Sequence, residues 1–540
     1  MRGARHARWA ACAAVAALAA AACGGGGGSG SAPGVYSASW SDPQNPLEPS
    51  NTNEVQGGKV LDMVFRGLKR YNPRTGAAEN MLADRIESSD SKNFTITVKD
   101  GWTFSNGEAV TAKSFVDAWN YGASLRNNQK NAYFFGYIEG YDKVHPATGT
   151  QTADTLSGLR VTGPRTFTVS LSQKFSTFPD TLGYAAFSPL PRAFFQNHAA
   201  WLKKPIGNGP YVIKSYTRGF MMSLRKWDGY PGADKARNNG VDLNVYTDSN
   251  TAYTDLLAGN LDLVDDVPAP QLRNVKSDLD GRYINTPAGI IQTLAFPYYD
   301  PAWSKPGTAK VRTGLSMAIN RDQITDTIFH RTRTPASDWT SPVLGVAGGF
   351  KAGLCGDACI YNPVRAKKLI QEGGGLPGGQ LRISYNADSG SHKEWVDAVC
   401  HSINNALGND KACVGNPFGT FADFRNQIGK HRMPGPFRAG WQMDYPLIQN
   451  FLQPLYYTDA SSNDGKWSDK DFDRLVDRAN AEADPARAVT IFQQAEGVVR
   501  DNMAAIPLWY QNGSAGYSQR LSNVALNPFS VPVYNEIKVG

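Results

Sequence analysis

The chain has 540 residues, 41% hydrophobic and 11% aromatic, with a formal charge of +7. That is a globular composition, not a disordered one, and the length is enough for more than one domain. Its 55 Lys and Arg do not cluster, which excludes a nucleic-acid footprint, and no run is long enough for a transmembrane helix.

The chain opens with Arg2, Arg5 and Arg8, then an apolar run of fourteen residues from Trp9 to Ala22 that ends at Cys23. A basic head, a short apolar core and small residues before the cut mark a secretory leader, and its loss lowers the charge to +4. With Cys at the cut, this end resembles a bacterial lipoprotein signal, in which that Cys is acylated. It departs from the pattern in having Ala20 where such signals usually carry Leu, and the rival is an ordinary leader with an incidental Cys. Residues 24–31 (GGGGGSGS) read as a flexible tether that leaves the body just off the membrane.

Beyond the tether, short strand-like runs alternate with amphipathic helices. Phe94, Ile96 and Val98 alternate with Thr95, Thr97 and Lys99, the period of a half-buried strand. Residues 112–121 (AKSFVDAWNY) place Phe115, Val116 and Trp119 at helical spacing behind Thr111, an N-cap. Residues 312–324, 365–372 and 471–483 read as further helices, the last stopped near Asp484-Pro485. Strands mixed with helices over this length predict α/β lobes, more than one of them.

Cys12 and Cys23 fall in the leader, which leaves Cys355, Cys359, Cys400 and Cys413. In an exported chain, four cysteines spaced in two close pairs read as two local disulfides, Cys355–Cys359 and Cys400–Cys413. Sequence proximity favours this pairing among three possible connectivities. A metal site using His401 beside Cys400 is the rival, but the spacing fits no zinc pattern.

Several segments occur in an order that resembles the solute-binding proteins of bacterial peptide and oligopeptide importers, the family 5 extracellular solute-binding proteins. They are 65–76 (FRGLKRYNPRTG) with 82–84 (LAD), and 94–107 (FTITVKDGWTFSNG) with 110–112 (VTA). Next come 207–212 (GNGPYV), 227–230 (WDGY), 259–263 (GNLDL) and 310–324 (KVRTGLSMAINRDQI). Last are 438–446 (RAGWQMDYP) with 450–452 (NFL), then 471–475, 495–496 and 506–508. Each motif alone is weak; their order covers nearly all of the chain after the leader.

The resemblance implies a two-lobed periplasmic-binding fold (type II, cluster C) that closes on its ligand about a hinge, with an extra domain in the first lobe. Mapped onto this chain, lobe I combines 32–68, 181–288 and 513–540, the extra domain is 69–180, and lobe II is 289–512. The chain then crosses between lobes twice, near Gly289 and near Asn512, as hinge closure requires.

A receptor for peptides of many sequences must hold what they share. One buried carboxylate suits the α-ammonium, because a desolvated, hydrogen-bonded ion pair is directional. By resemblance Asp444 is that carboxylate; the alternative is an Asp capping the turn before Tyr445-Pro446. Peptide backbone is best held by strand-like pairing, and by position 53–57 and 438–441 resemble the segments that flank the ligand. This makes Asn53, Glu54, Val55, Arg438, Gly440 and Trp441 candidate binding residues. Gly440 permits close approach of main chain. Trp441 reads equally as a pocket wall or as core. Tyr133, Phe134 and Tyr137 lie where the family's extra domain reaches the cleft, and their spacing slightly favours core. Lys430, His431 and Arg432 fall near a cationic loop of the family and read as a solvated basic loop.

The expected function is capture of short peptides and their delivery to an ABC permease with its ATPases, as a lipid-anchored monomer on the outer face of the cytoplasmic membrane. No cofactor or metal is expected. The family's DY is often followed by another Asp or Asn and Pro, whereas here Pro446-Leu447-Ile448 follows. Related receptors take nickel complexes or oligosaccharides, so another solute, or a peptide-signal sensor, remains a rival. An enzyme is disfavoured: there is no GxSxG elbow, HExxH pair or Walker loop, and Gly390-Ser391-His392 lacks partners.

Overall fold

The computed structural model describes residues 32–305, 307–387 and 391–540. The leader, Cys23, the tether and Gly390 lie outside the described residues.

An eleven-stranded sheet runs through the molecule. From one edge its order is Cys413–Phe418, Leu381–Asn386, Phe437–Gln442, Tyr283–Ala295, Ala505–Tyr517, Leu263–Val264, Val35–Trp40, Gly240–Val245, Met221–Lys226 and Tyr211–Thr217; Arg333–Pro335 also pairs with Ala505–Tyr517. The core divides around it. One large apolar cluster includes Tyr36, Trp119, Leu243 and Tyr534, and a second includes Leu294, Trp339, Trp395 and Trp509. This is the α/β, two-bodied arrangement that the alternating pattern predicts.

Two long antiparallel strands, Tyr283–Ala295 and Ala505–Tyr517, connect the two bodies. Of the positions expected as crossings, Asn512 lies in their ladder and Gly289 lies two residues beyond its partner. Pro287 pairs with Asn512, and the register shifts between Pro287 and Ile290, which leaves Ala288 and Gly289 outside the pairing. At Gly289 the Met443 side chain packs against the bare backbone, where a Cβ would fall 2.3 Å from its sulfur. Its amide donates to the Pro528 carbonyl at 2.7 Å, and its carbonyl accepts from the Met443 amide at 2.9 Å.

A separate four-stranded sheet is ordered Ala83–Glu87, Asn93–Val98, Thr166–Ser170 and Leu159–Gly163. Phe94, Ile96 and Val98 are its buried face, as their alternation predicts. The helix Ala112–Ala123 packs beside this sheet. Thr111 caps it with a reciprocal Thr111–Ser114 capping box, and Phe115, Val116 and Trp119 are buried. The Trp119 indole donates to the Phe187 carbonyl at 3.0 Å, so the large ring is buried without an orphaned N–H.

Two helix expectations need correction. Residues 312–324 are not one helix: Thr308–Met317 ends, and Arg321–Thr327 begins after Ala318–Asn320. Asn320 caps the second helix by accepting from the Gln323 amide. The break also lets the buried Arg321 guanidinium reach the carbonyls of Ser316 and Pro507. The helix expected over 471–483 is Lys470–Ala481, and Pro485 does not stop it; Pro485 opens the next helix, Pro485–Asn502, at its first position. Both expected disulfides, Cys355–Cys359 and Cys400–Cys413, are formed.

Candidate functional site

Between the two bodies lies a cavity of about 1550 Å³. All eight residues singled out for binding line it: Asn53, Glu54, Val55, Tyr133, Arg438, Gly440, Trp441 and Asp444. They come from three separate stretches of chain, 53–55, 133 and 438–444, that the fold brings together.

The strand Phe437–Gln442 supplies one wall. Along one edge it pairs antiparallel with 290–295, from Ile290↔Gln442 to Ala295↔Phe437. On the other edge it meets Leu381–Asn386 only at Phe437↔Ser384. Beyond Arg438 no strand among the described residues pairs on that second edge, and Gly440, Trp441 and Gln442 line the cavity. A strand edge that runs past its last partner is a template for an added strand. Gly440 sits in it, where a Cβ would lie 3.2 Å from the Ile291 carbonyl, so the close approach at Gly440 is to the neighbouring strand.

The other flanking segment is different from the expected one. Residues 53–57 are not a strand, because Val55 begins the helix Val55–Val64 and Glu54 is its N-cap. The Glu54 carboxylate accepts from the amides of Gln56 at 2.8 Å and Gly57 at 2.9 Å, which removes both amides from pairing with a ligand. Burial nevertheless raises the Glu54 carboxyl above its ordinary range against those bonds. Asn53 accepts from Asn45, and Val55 is exposed.

Asp444 lies deep in the cavity, where solvent still reaches part of it. Its carboxylate accepts from the Asn450 amide at 3.0 Å, and not from the backbone of the following turn; the Tyr184 hydroxyl nearby also favours its charged form. Burial pushes the carboxyl up to about 7 against both. The charged form is therefore disfavoured by about 4 kcal/mol relative to water. A cation entering the cavity relieves that cost.

Aromatic rings surround this end of the cavity. Tyr133 lines it, and its ring lies 4.5 Å from Phe134, which stacks on Tyr184 at 4.3 Å. Phe134 is core, while Tyr137 is half-buried and accepts from Asn480. Tyr71 packs on Phe529 at 5.1 Å, and both line the cavity. The half-buried Trp441 donates its indole N–H to Asn450 at 3.0 Å.

At the other end of the strand, Arg438 donates to Asn386 at 2.7 Å, and its guanidinium lies 5.4 Å from the ring centres of both Phe421 and Phe424. Lys430, His431 and Arg432 are exposed and do not line the cavity, as a solvated loop requires.

Sequence reasoning missed Tyr184 and the role of Asn450. Tyr184 belongs to no quoted motif, and it reaches Asp444 from 260 positions away. Asn450 was visible only as part of a motif, although it lies six residues beyond Asp444.

Residues 77–463 match the family model described as bacterial extracellular solute-binding proteins, family 5 middle. The oligopeptide-binding protein OppA of Bacillus subtilis is 24% identical over 503 residues, which cover 89% of this chain and 88% of that protein. The probable deoxycholate-binding periplasmic protein YgiS of Escherichia coli is 26% identical, covering 87% and 86%. The solved structure of the Escherichia coli murein tripeptide binding protein MppA superposes with a TM-score of 0.82 at 21% identity, covering 94% of this chain and 99% of that one.

Proposed function

The chain belongs to the bacterial extracellular solute-binding proteins, family 5, and from that premise we propose that it captures short peptides and delivers them to an ABC permease. The observation that carries the reading is the Asp444 carboxylate at the base of the cavity. It is raised to about 7 by burial, accepts from Asn450 with the Tyr184 hydroxyl nearby, and sits beside the strand edge that runs past Phe437 along the cavity. A ligand with an ammonium next to a row of amides satisfies both features at once.

In this reading lobe I is 32–68, 181–288 and 513–540, with 69–180 as its extra domain, and lobe II is 289–512. The paired strands around Pro287 and Asn512 act as the hinge. Asp444 anchors the amine, and Arg438, Gly440 and Trp441 flank the ligand along the strand. Tyr133 closes the aromatic end, and Asn53, Glu54 and Val55 form the opposite rim. The receptor acts as a monomer and hydrolyses nothing; the permease ATPases drive import. A lipid on Cys23 and the glycine tether hold it at the outer face of the cytoplasmic membrane. Among the described residues no helix is long and apolar enough to cross a membrane.

A bile-acid ligand, suggested by the YgiS relative, is disfavoured by the same carboxylate, since an anionic ligand placed at Asp444 meets a like charge in a desolvated site. Uptake measured in cells that lack the chain's gene and carry it back as wild type or Asp444→Ala tests the reading. Peptide uptake restored by the wild type alone supports it. Equal restoration by both removes Asp444 from the mechanism.

A further inference from the structure

Asn450 is fully buried, yet its side chain bonds none of the amides of the helix it helps to open, Ile448–Tyr456. Its side-chain hydrogen bonds go to the cavity wall. Its carbonyl oxygen accepts from the Asp444 backbone amide at 2.8 Å and from the Trp441 indole at 3.0 Å. Its amide nitrogen donates to one Asp444 carboxylate oxygen at 3.0 Å. Both lone pairs of the oxygen and one N–H are thereby used, close to the full capacity of a buried amide.

The chemistry of this arrangement is directional. The bond from the amide fixes the rotation of the Asp444 carboxylate, and the bond to the indole fixes the plane of Trp441 against it. A buried amide fully committed in this way rigidifies what it touches. We propose that Asn450 is the positioning residue of the amine site, holding the Asp444 carboxylate and the Trp441 indole as one unit. Ligand amine recognition and the neighbouring side-chain pocket are then set together, and the preferred ligand is a free-amine peptide whose first side chain packs on Trp441. This inference rests on Asp444 being the amine anchor.

The test is calorimetric binding of tetraalanine and N-acetyl-tetraalanine to the wild type, Asp444→Asn, Asn450→Asp and Asn450→Ser, with thermal unfolding as the check on folding. Asn450→Asp keeps the shape and both acceptor bonds but turns an oxygen toward Asp444. It is expected to weaken tetraalanine at least tenfold, leave the N-acetyl peptide within about twofold, and move the pH midpoint of binding upward. Asn450→Ser, which leaves room for water, is expected to lose the same free-amine preference. The Trp441 contribution to the emission, taken as the difference from the same protein carrying Trp441→Phe, is expected to shift in both Asn450 variants. A free-amine preference lost in Asp444→Asn but kept, with an unmoved pH midpoint, in both Asn450 variants overturns the positioning role alone. A preference kept in Asp444→Asn overturns the amine reading and this proposal with it.

Discussion

Asn480 donates its side-chain amide to the hydroxyl of Tyr137 at 3.1 Å, joining the helix Lys470–Ala481 to a residue 343 positions earlier in the chain. Nearby the Ser176 hydroxyl donates to the Glu482 carbonyl at 2.7 Å. The two contacts tie the 69–180 segment to the second body, away from the paired strands around Pro287 and Asn512. On the hinge reading proposed above, an opening motion about those strands would break both.

The first prediction concerns this rim. Tyr137→Phe removes the hydroxyl and leaves the ring packed on Phe175. A neutral hydrogen bond contributes about 1 kcal/mol net, so ligand dissociation is expected to speed up by about two- to tenfold while association stays unchanged. Stopped-flow release of a labelled peptide measures both rates. An unchanged dissociation rate would mean that the rim does not control opening.

The second prediction follows from Asp444. Burial holds its carboxyl up at about 7, so below that pH the empty site is protonated and cannot form the ion pair. Affinity for a free-amine peptide is expected to fall by about tenfold per pH unit below 7, with a proton released on binding. Above pH ~8 the peptide amine itself loses its charge, which places the optimum between the two. The folding linkage has the same origin with its own sign. A carboxyl raised on folding contributes stability at low pH that is lost as pH rises through about 7, so the unliganded protein is expected to be more stable in mild acid than at neutrality with respect to this group. Dissociation constants measured from pH 5 to 8 check the binding slope, and Asp444→Asn is expected to abolish it.

The third prediction concerns Glu496 and Asp338, both fully buried and close enough in the second body for each charge to act on the other. Burial first, and then the Asp338 partner, holds the Glu496 carboxyl well above its ordinary range. Glu496 also accepts from the Trp339 amide at 3.0 Å. A raised carboxyl loses its contribution to stability as pH rises, so Glu496→Gln, which mimics the protonated acid, is expected to stay within about 1 kcal/mol of wild type at neutral pH. It is also expected to flatten the alkaline loss of stability. Urea midpoints from pH 6 to 9 report both, and a drop of more than about 3 kcal/mol would show that the charged form is the native one.

The lengths and periods of the elements carried much of this fold. The alternation of Phe94, Ile96 and Val98 and the helical spacing of Phe115, Val116 and Trp119 are local signals, and the structure follows them. The pattern failed where distant groups decide. Within residues 312–324 the break has a local sign in Asn320, an N-cap residue that the helical period hides; it also serves a buried Arg321 that reaches Pro507, 186 positions away. Pro485 was misread because proline suits both the end of one helix and the first turn of the next. At the site, the motif around Asp444 pointed to a residue that lines the cavity, but Tyr184, which acts on it, arrives from a distant loop that no period reveals. The segment 53–57 failed in a more local way: Glu54 before Val-Gln-Gly-Gly accepts from the Gln56 and Gly57 amides, and this cap starts a helix in place of a strand.

The fourth prediction concerns the tether, whose residues lie outside the described part of the chain. If Cys23 carries the lipid, Cys23→Ser is expected to move the protein from the membrane fraction into the culture medium or periplasm. Peptide binding by the purified body is expected to be unchanged. Fractionation with labelled palmitate incorporation reads out the first point, and membrane retention of the Ser variant would place the anchor elsewhere.

The central claim is that the cavity holds peptides by their amine. Native mass spectrometry of protein beginning at Ser31, purified without denaturation and with its ligands released and identified, tests it most directly. The account predicts a heterogeneous set of short peptides with free amino termini, lost in Asp444→Asn. A single non-peptide solute, or an empty protein that gains no ligand and no thermal shift when peptides are added, would contradict it.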